Sequence, residues 1–279
     1  MKVFYAEEEI NLRAFTDTHY PQGSFCFAAL LRAKDIKVNG VRTGSDLRLK
    51  KGDEVVYYTN PRQESVKSHE VVFEDGNVLI ADKFSGVDVN ALLCELRANG
   101  EFYAAHRLDR NTAGLVAFAK NREAENELLR AFRERRAHKE YLALCKNCFK
   151  KSSDTLKAFL YKDASGAKVK VSERGGRGAA EIVTEYEVTE SFGDVAAVKI
   201  KLHTGRTHQI RAHMAFIGCP VLGDMKYGDE ALNAKYSATR QRLISVSLGF
   251  EFPDGALKYL DKRTWQSGLA LNLDSRAGL

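Results

Sequence analysis

A short charged segment followed directly by an apolar run places the strongest constraint on how this chain folds. Residues 114–119 are continuously apolar, which predicts a strand buried on both faces of a sheet. Just before this strand, Asp109 stands between Arg107 and Arg110 in the sequence. A carboxylate close to cations stays ionised, and it serves as a nucleophile, as an electrostatic anchor or only as a member of an ion pair. The segment by itself leaves these three roles open.

The apolar pattern of the remaining chain predicts helices and many strands without regular βαβ alternation. Helices are predicted over residues 89–97, 123–136 and 207–217, and strands over 71–81 (as a hairpin), 139–145, 156–161, 179–188, 195–202 and 243–250. We therefore expect an α+β fold, with a mixed, largely antiparallel sheet and flanking helices. Leu128, Leu129 and Phe132 are expected on the apolar face of the second helix. Thr204 or Thr207 is expected to cap the start of the third helix.

The first 60 residues have the pattern of a small α/β module of their own. Its predicted elements are helical segments at 11–15 and 25–32, a break at 21–23 and a hairpin with an Asn-Gly turn at 35–42. Arg32, Lys37 and Arg42 are among its many basic residues, which either contact an RNA backbone or form a solvated surface. We expect four parts in the chain, at residues 1–60 (the module), 61–69 (a polar linker without periodicity), 70–268 (a large domain) and 269–279 (a tail).

Length and charge narrow the class of protein without deciding its function. The chain has 279 residues and a formal net charge of +6, which indicates either an anionic partner or a solvated basic surface. No apolar stretch approaches the roughly 20 residues of a membrane span, and the first residues have no signal-peptide pattern. Five cysteines at irregular spacing indicate a reducing compartment. We expect a cytoplasmic protein that does not act at a membrane.

Two patterns that suggest a metal do not have the spacing of metal ligands. His208 and His213 are five residues apart, whereas zinc ligands on one helical face are usually four apart. Cys145 and Cys148 form a lone CxxC without a second pair. Arg206 and His208, at the start of the predicted third helix, are typical either of an anion site or of a solvated basic face. We therefore expect no metal site.

Three segments resemble, in order and separation, the signature motifs of the RluA-type pseudouridine synthases. They comprise residues 106–109, 112–115 and 119–120 for the first motif, 139–143 for the second, and 205–213, 218, 220, 222–224 and 227–228 for the third. The resemblance covers about residues 70–255. Three long motifs in order are far more specific than any one of them. Residues 31–32, 37–40 and 52–55 of the small module resemble the α-L RNA-binding module of a small-subunit ribosomal protein.

The resemblance implies isomerisation of uridine to pseudouridine in structured RNA, ribosomal or transfer, by a monomer without metal or organic cofactor. Asp109 would be the essential carboxylate, which either attacks the anomeric carbon or assists formation of a glycal intermediate. Arg211 would lie against Asp109 and favour its charged form. Tyr141 would stack on the flipped base and assist loss of the proton on carbon 5. Arg107 would fill the gap that the flipped uridine leaves in its stack.

Other basic residues are expected to position the RNA backbone rather than to react. These expected contacts are Lys139, Arg206 and His208. A basic cluster over residues 130–139 either adds to them or is solvated. Departures from the family pattern at Ala113, Cys219 and residues 243–246 concern substrate contacts and the subgroup of the family, not the reaction.

Two alternatives to this enzyme belong to other functional classes. The first is a non-catalytic RNA-binding protein of the same fold that assists ribosome assembly. The presence of Asp109, Tyr141 and Arg211 together argues against it. The second is a metal-dependent hydrolase, which chelators would inactivate.

Overall fold

A computed structural model describes residues 1–162 and 168–271, so most of the predicted tail at 269–279 lies outside the described residues. The first part of the chain forms a small antiparallel sheet covered by helices. Its elements are β1 (Lys2–Tyr5), β2 (Ile10–Asn11), α1 (Leu12–His19), α2 (Pro21–Phe25), α3 (Phe27–Ala33), β3 (Ile36–Val38), β4 (Val41–Thr43), β5 (Arg48–Leu49) and β6 (Glu54–Tyr57). The sheet order is β1-β6-β3-β4, and β2 pairs with β5. Its core includes Leu12, Phe15, Phe27, Leu30 and Tyr57.

Local sequence signals in this part are confirmed at the hairpin and wrong at the predicted break. Asn39 and Gly40 have φ values of 49° and 79°, as the Asn-Gly turn between β3 and β4 requires. Residues 21–23, in contrast, do not interrupt helical structure, because they belong to α2. Pro21 occupies the first turn of this helix, where its missing N–H costs no hydrogen bond.

The first residues of the predicted linker form the short helix α4 (Pro61–Glu64). Asn60 caps this helix: its side chain accepts from the backbone N–H of Gln63 at 3.0 Å, and its own N–H donates to Gln63 Oε1 at 2.9 Å. Asn followed by Pro and, three residues on, by Gln is the sequence signature of such a reciprocal cap. Glu64 then accepts hydrogen bonds from the hydroxyls of Tyr20 and Thr59, which fastens the helix to the small sheet.

The rest of the described chain forms one large sheet with helices on both faces. Its elements are β7 (His69–Glu74), β8 (Val78–Lys83), α5 (Val89–Arg97), β9 (Tyr103–Ala104), β10 (Ala113–Ala119), α6 (Arg122–Arg133), β11 (Ala137–Lys146), β12 (Ser153–Lys162), β13 (Val169–Ser172), β14 (Ala180–Phe192), β15 (Val195–Leu202), α7 (Gln209–Phe216), α8 (Glu230–Lys235), β16 (Leu243–Phe250) and β17 (Thr264–Gln266), with a 3-10 turn at Lys258–Leu260. The strand order is β13-β12-β14-β15-β11-β16-β10-β8-β7, with β17 beside β16 and β9 beside β10. Within the described residues only β10 and β16 pair in parallel, which confirms the predicted mixed, largely antiparallel sheet.

Strand β10 lies at the centre of this fold, and every one of its residues is buried. Val116 and Phe118 face the hydrophobic cluster that includes residues of α5 and α7. Leu115 and Ala117 face the opposite cluster, which includes residues of α6. The prediction of a strand buried on both faces is confirmed, and the charged segment before it enters the middle of the sheet.

Helix α6 begins after Asn121, whose side chain accepts the backbone N–H of Ala124 at 2.9 Å. Leu128 packs into the core as predicted, but Leu129 is 42% exposed, so the prediction for Leu129 is wrong. One residue turns a helix by about 100°, which carries Leu129 past the edge of the buried face. In the described part of the chain, none of the helices combines the length and apolar character needed to cross a membrane.

The small N-terminal sheet is attached to the large one through helices α1 and α2, which pack against α5. The Cys94 thiol of α5 donates to the carbonyl oxygen of Thr18 at 3.0 Å. Arg110 forms ion pairs with Asp17 of α1 and, at 3.4 Å, with Asp88 at the start of α5. This arginine, adjacent to Asp109 in the sequence, therefore points away from Asp109 and towards the N-terminal helices.

Candidate active site

Asp109 lies in the turn that leads into β10, in the wall of a cavity of about 330 Å³ that we call the Asp109 cavity. The backbone N–H of Thr112 donates to the carbonyl of Asp109 at 3.0 Å and closes the turn. The hydroxyl of Thr112 accepts a hydrogen bond from Gln241 Nε2 at 2.9 Å. The Asp109 side chain is 17% exposed, so it is accessible from the cavity while most of its surface is shielded from water.

A buried lysine that the sequence analysis did not identify supports this turn. Lys83 is fully buried at the end of β8, and its ammonium donates to the carbonyls of Phe84, Val87 and Arg110 at 3.2, 2.9 and 3.1 Å. Burial lowers the pKa of Lys83 to about 7. One lysine thus joins the segment after β8 to the residue next to Asp109. In the sequence it cannot be distinguished from a surface lysine that ends a strand.

Close contact between β10 and β16 requires a glycine in the first motif. Gly114 pairs with Ser245 across the parallel strands and has a φ of 106°. A Cβ atom at this position would lie 2.3 Å from the carbonyl oxygen of Ser245. Gly114 therefore allows β16, which carries Ser245, to lie directly beside the strand that follows Asp109.

Arg211 on α7 connects the Asp109 carboxylate to a second, fully buried carboxylate. Its Nη1 donates to Asp109 Oδ2 at 2.9 Å, while Nε and Nη2 donate to the two oxygens of Asp224 at 2.6 and 2.9 Å. Asp224 also accepts the backbone N–H groups of Lys226 and Tyr227. This two-pronged contact holds the guanidinium in one orientation. The structure thus brings the predicted pair of Arg211 and Asp109 together.

Electrostatics favour the ionised form of both buried partners. Burial alone would lower the pKa of Arg211, but hydrogen bonds and charge from Asp224, and then from Asp109, raise it above its ordinary value. Burial alone would raise the pKa of Asp224, but Arg211 and the two backbone N–H groups hold it below its ordinary value. One guanidinium between two carboxylates leaves a net negative charge, and only Asp109 presents its carboxylate to the cavity.

His208 faces Asp109 and begins helix α7 in an unpredicted way. Its φ is 56°, and α7 has no side-chain cap, so the predicted capping by Thr204 or Thr207 is wrong. The Thr204 hydroxyl instead donates to Gln209 Oε1 at 2.9 Å. The Nδ1 atom of His208 lies 2.9 Å from the Tyr227 hydroxyl, and Nε2 lies 3.9 Å from Asp109 Oδ2. Burial lowers the pKa of His208, against the opposing charge of Asp109.

A β-bulge places Tyr141 beside the cavity. Glu140 of β11 pairs with Ser247 of β16, but the next residue, Tyr141, pairs with Ser245, so Val246 is an extra residue in β16. A bulge of this kind bends the strand and changes the direction of neighbouring side chains. Tyr141 is 5% exposed and lies opposite Ser245 in the paired strand. Burial raises the pKa of the Tyr141 phenol.

The remaining predicted contacts of this domain surround the Asp109 cavity. Arg107 and Arg206 are exposed, and Arg107 has no ion pair or hydrogen bond with any described residue. The Lys139 ammonium lies 5.4 Å from the centre of the Phe132 ring, and burial lowers its pKa. Asp109 is the only carboxylate among the residues that line this cavity, all of which are described. The cavity is therefore predominantly cationic.

The predicted contacts of the small module lie apart from the cavity. Lys37 and Arg42 are opposite each other in the β3–β4 hairpin, and both approach the Tyr58 ring, at 5.4 and 5.1 Å. Arg42 also donates to the carbonyl of Lys34 at 2.6 Å. Arg32 is exposed at the end of α3. None of these three basic residues lines the Asp109 cavity.

A carboxylate fixed by a buried arginine, in a cavity whose other charged residues are cations, suits an anionic substrate. The family model for RNA pseudouridylate synthases matches residues 82–216. A protein from Aquifex aeolicus described as an uncharacterized RNA pseudouridine synthase is 31% identical over 278 residues, covering 88% of this chain and 87% of that protein. Ribosomal large subunit pseudouridine synthase C of Haemophilus ducreyi is 31% identical, covering 81% and 79%.

A solved structure agrees with these relatives. Human RNA pseudouridylate synthase domain containing 1 superposes with a TM-score of 0.57 and 27% sequence identity, covering 73% of this chain and 90% of that one. The chain therefore belongs to the RNA pseudouridylate synthases, and the resemblance to the RluA type is confirmed. It is an isomerase that acts on RNA.

A buried histidine in α7 gives the fold a predictable response to acid. His213 is 1% exposed, its Nδ1 lies 3.0 Å from the Thr184 hydroxyl, and burial lowers its pKa from 6.5 to about 4. Between these pH values the unfolded chain binds a proton that the folded chain does not. The contribution of His213 to the free energy of unfolding is therefore fully present above pH 6.5. Below that pH we expect the free energy of unfolding to decrease by up to about 1.4 kcal/mol per pH unit because of this residue. Urea denaturation across this range measures the slope.

The variant His213→Gln removes the titrating group and is expected to show a smaller slope than the wild-type protein. Buried His106, whose Nε2 accepts the N–H of Ala117 at 2.9 Å, remains in the variant and continues to destabilise the fold in acid. Equal slopes for the variant and the wild-type protein would contradict the assignment to His213.

Proposed function

We propose that this pseudouridine synthase isomerises a uridine of large-subunit ribosomal RNA, with Asp109 as the reacting carboxylate. The observation that carries the proposal is the 2.9 Å hydrogen bond from Arg211 to Asp109, in a cavity lined by no other carboxylate. Relatives named ribosomal large subunit pseudouridine synthase C favour ribosomal over transfer RNA as the target.

The proposed reaction exchanges one bond of the uracil ring for another within the same nucleotide. The bond from N1 to the anomeric carbon breaks, the base turns, carbon 5 bonds to the anomeric carbon, and the proton on carbon 5 leaves while N1 gains one. Asp109 either attacks the anomeric carbon or removes a proton from the adjacent sugar carbon to give a glycal. Both routes need an ionised carboxylate, and the neighbouring Arg211 favours that form.

Tyr141 is proposed as the surface on which the flipped base stacks. Its position is set by the bulge between β11 and β16, and its ring is buried. Because burial raises its pKa, the phenol is protonated at neutral pH. In the resting enzyme Tyr141 can therefore stack on the base and donate a hydrogen bond. It can accept the proton from carbon 5 only after its own phenol proton has moved.

Arg107 is proposed to occupy the space that the flipped uridine leaves in the RNA. Flipping a base costs a few kcal/mol, and a planar cation inserted into the stack offsets part of that cost. Arg107 is exposed, has no partner among the described residues and lies two positions before Asp109. Lys139, Arg206 and His208 are proposed to contact the sugar and phosphates of the same nucleotide and its neighbours.

The small module is proposed to be an α-L-type RNA-binding unit spanning residues 1–60, distinct from a catalytic domain at 70–268. Its own sheet and core support this division. Arg32, Lys37 and Arg42 are its proposed contacts to the RNA backbone. The enzyme is further proposed to be a cytoplasmic monomer that needs no metal.

Purified enzyme is expected to form pseudouridine at a defined uridine in ribosomal RNA from cells that lack the gene, and equally well in EDTA. Chemical mapping of pseudouridine on ribosomal and transfer RNA, offered separately, measures this. Modification of transfer RNA alone would refute the proposed target, and loss of activity in EDTA would refute a metal-free reaction. Binding of RNA without any pseudouridine formation would favour a non-catalytic RNA-binding protein.

A further inference from the structure

A second cavity, of about 590 Å³, continues from the Asp109 cavity and has a wall of basic side chains. The two cavities share Phe132, Lys139, Leu202, Gly205 and Arg206, so they form one continuous depression. We call the second cavity the basic trough. Its wall also contains Arg133, Arg135 and Lys201.

Four cations in the wall of the basic trough have no ionic partner within the described chain. Arg133, Arg135, Lys201 and Arg206 form no ion pair or side-chain hydrogen bond with any described residue. No carboxylate lines the trough, and its two histidines pair with Glu251 and Glu185. Like charges gathered in a concave surface repel one another, and a polyanion relieves that repulsion.

Neighbours in the same elements show the contrast. Arg130, one turn before Arg133 in α6, pairs with Asp254. Lys199, two residues before Lys201 in β15, pairs with Glu140 at 3.0 Å. Arg130 and Lys199 lie on the same faces as Arg133 and Lys201, so within these two elements the unpaired cations are the ones that line the trough.

Arg135 occupies a backbone position that favours glycine. It follows the last turn of α6 with a φ of 59°, and its N–H donates to the carbonyl of Phe132 at 3.3 Å. A non-glycine residue in this left-handed conformation costs roughly 1–2 kcal/mol. Replacing Arg135 by glycine therefore removes the cation without an expected loss of stability.

We infer that the basic trough binds the phosphates of the RNA strand adjacent to the nucleotide in the Asp109 cavity. This inference rests on the proposed function, since the strand enters the trough only if its uridine occupies the Asp109 cavity. Arg206 and Lys139, in the shared wall, contact the backbone at the junction. Arg133, Arg135 and Lys201 then contact the phosphates that follow. Binding by charge to phosphates places the strand without selecting its sequence.

A pair of triple variants with equal net charge tests the inference. The trough variant carries Arg133→Gln, Arg135→Gly and Lys201→Gln, and the control variant carries Arg130→Gln, Lys199→Gln and Lys235→Gln. Each control residue is paired with a carboxylate outside the trough, Lys235 with Asp194 at 2.6 Å. The probe is a fluorescein-labelled RNA stem-loop with a uridine in its loop, titrated by fluorescence anisotropy across about 0.05 to 0.2 M salt.

The trough variant is expected to lower the slope of log affinity against log salt by about 2, because each lost contact to a single strand contributes about 0.7. If the variant and the wild-type protein bind equally at about 1 M salt, this difference in slope makes the variant bind roughly 100-fold more weakly at about 0.1 M salt. The control variant is expected to keep the wild-type slope. Equal changes in both variants, or no change in the trough variant, would overturn the inference.

The single variant Arg135→Gly separates binding from folding. It is expected to unfold at the same temperature as the wild-type protein or higher, and to bind the stem-loop about 5-fold more weakly at about 0.1 M salt. Wild-type affinity in this variant would overturn the role of Arg135. The binding measurements do not require turnover, so a failure to detect pseudouridine would refute the proposed reaction without deciding the role of the trough.

Discussion

Replacing Asp109 by asparagine is expected to lower the rate of pseudouridine formation by at least about 10⁴-fold, because the variant loses the only carboxylate that faces the cavity. The amide keeps the shape of the side chain and still accepts the hydrogen bond from Arg211 Nη1. It neither attacks the anomeric carbon nor takes up a sugar proton. Single-turnover assays with excess enzyme on the modified RNA measure the chemical step directly.

Two controls make this result specific. Asp154→Asn removes a carboxylate at the start of β12, outside the Asp109 cavity, that pairs with Lys151 at 2.9 Å, and is expected to retain the wild-type rate. Binding of RNA by Asp109→Asn should equal or exceed that of the wild-type enzyme, since a negative charge near the phosphates has been removed. If Asp109→Asn retained the wild-type rate, Asp109 would be only a member of an ion pair.

Replacing Arg211 by methionine is expected to have the largest effect on stability, lowering the free energy of unfolding by about 3–5 kcal/mol. Its loss leaves the fully buried carboxylate of Asp224 without the guanidinium that neutralises it. The rate of pseudouridine formation should fall as well, because Asp109 loses the donor that orients it. Urea denaturation and single-turnover assays of the same preparation measure the two effects.

A second variant separates the two effects of Arg211. In the double variant Arg211→Met with Asp224→Asn, the buried charge is gone while the side-chain oxygen still accepts the N–H groups of Lys226 and Tyr227. Part of the stability should return, whereas the rate should not. Recovery of both would mean that Arg211 acts on catalysis only through folding.

Much of the fold followed from local patterns. Continuous apolar character identified the buried strand β10, helical spacing identified α5, and the Asn-Gly pair identified the β3–β4 hairpin. Two other local predictions were wrong. Pro21 begins a helix rather than a break, and Leu129 is exposed although it is apolar. Pro21 can begin a helix because its missing N–H costs no hydrogen bond in the first turn. Leu129 is exposed because the helical period carries it past the edge of the buried face.

The candidate site was predictable only in the residues that the motifs contain. Asp109, Tyr141 and Arg211 stand in motif segments, and the structure brings them to one cavity. Asp224 lies in the same motifs, but nothing in the sequence shows that it shares the guanidinium of Arg211 with Asp109. Lys83 has no local signal at all, because an ammonium bound by three carbonyls is recognisable only when the carbonyls are in place.

The sequence by itself determined the family and the mixed character of the sheet, since these depend on residue types and on patterns within short segments. Only the tertiary structure decided how the other charges meet. Arg110, next to Asp109 in the chain, turns to Asp17, and Asp224 shares with Asp109 the guanidinium of Arg211 that the family resemblance implied. The same holds for the unpaired cations of the basic trough. Charge interactions depend on distance in space, and strand pairing such as that of Gly114 with Ser245 sets those distances between segments far apart in sequence.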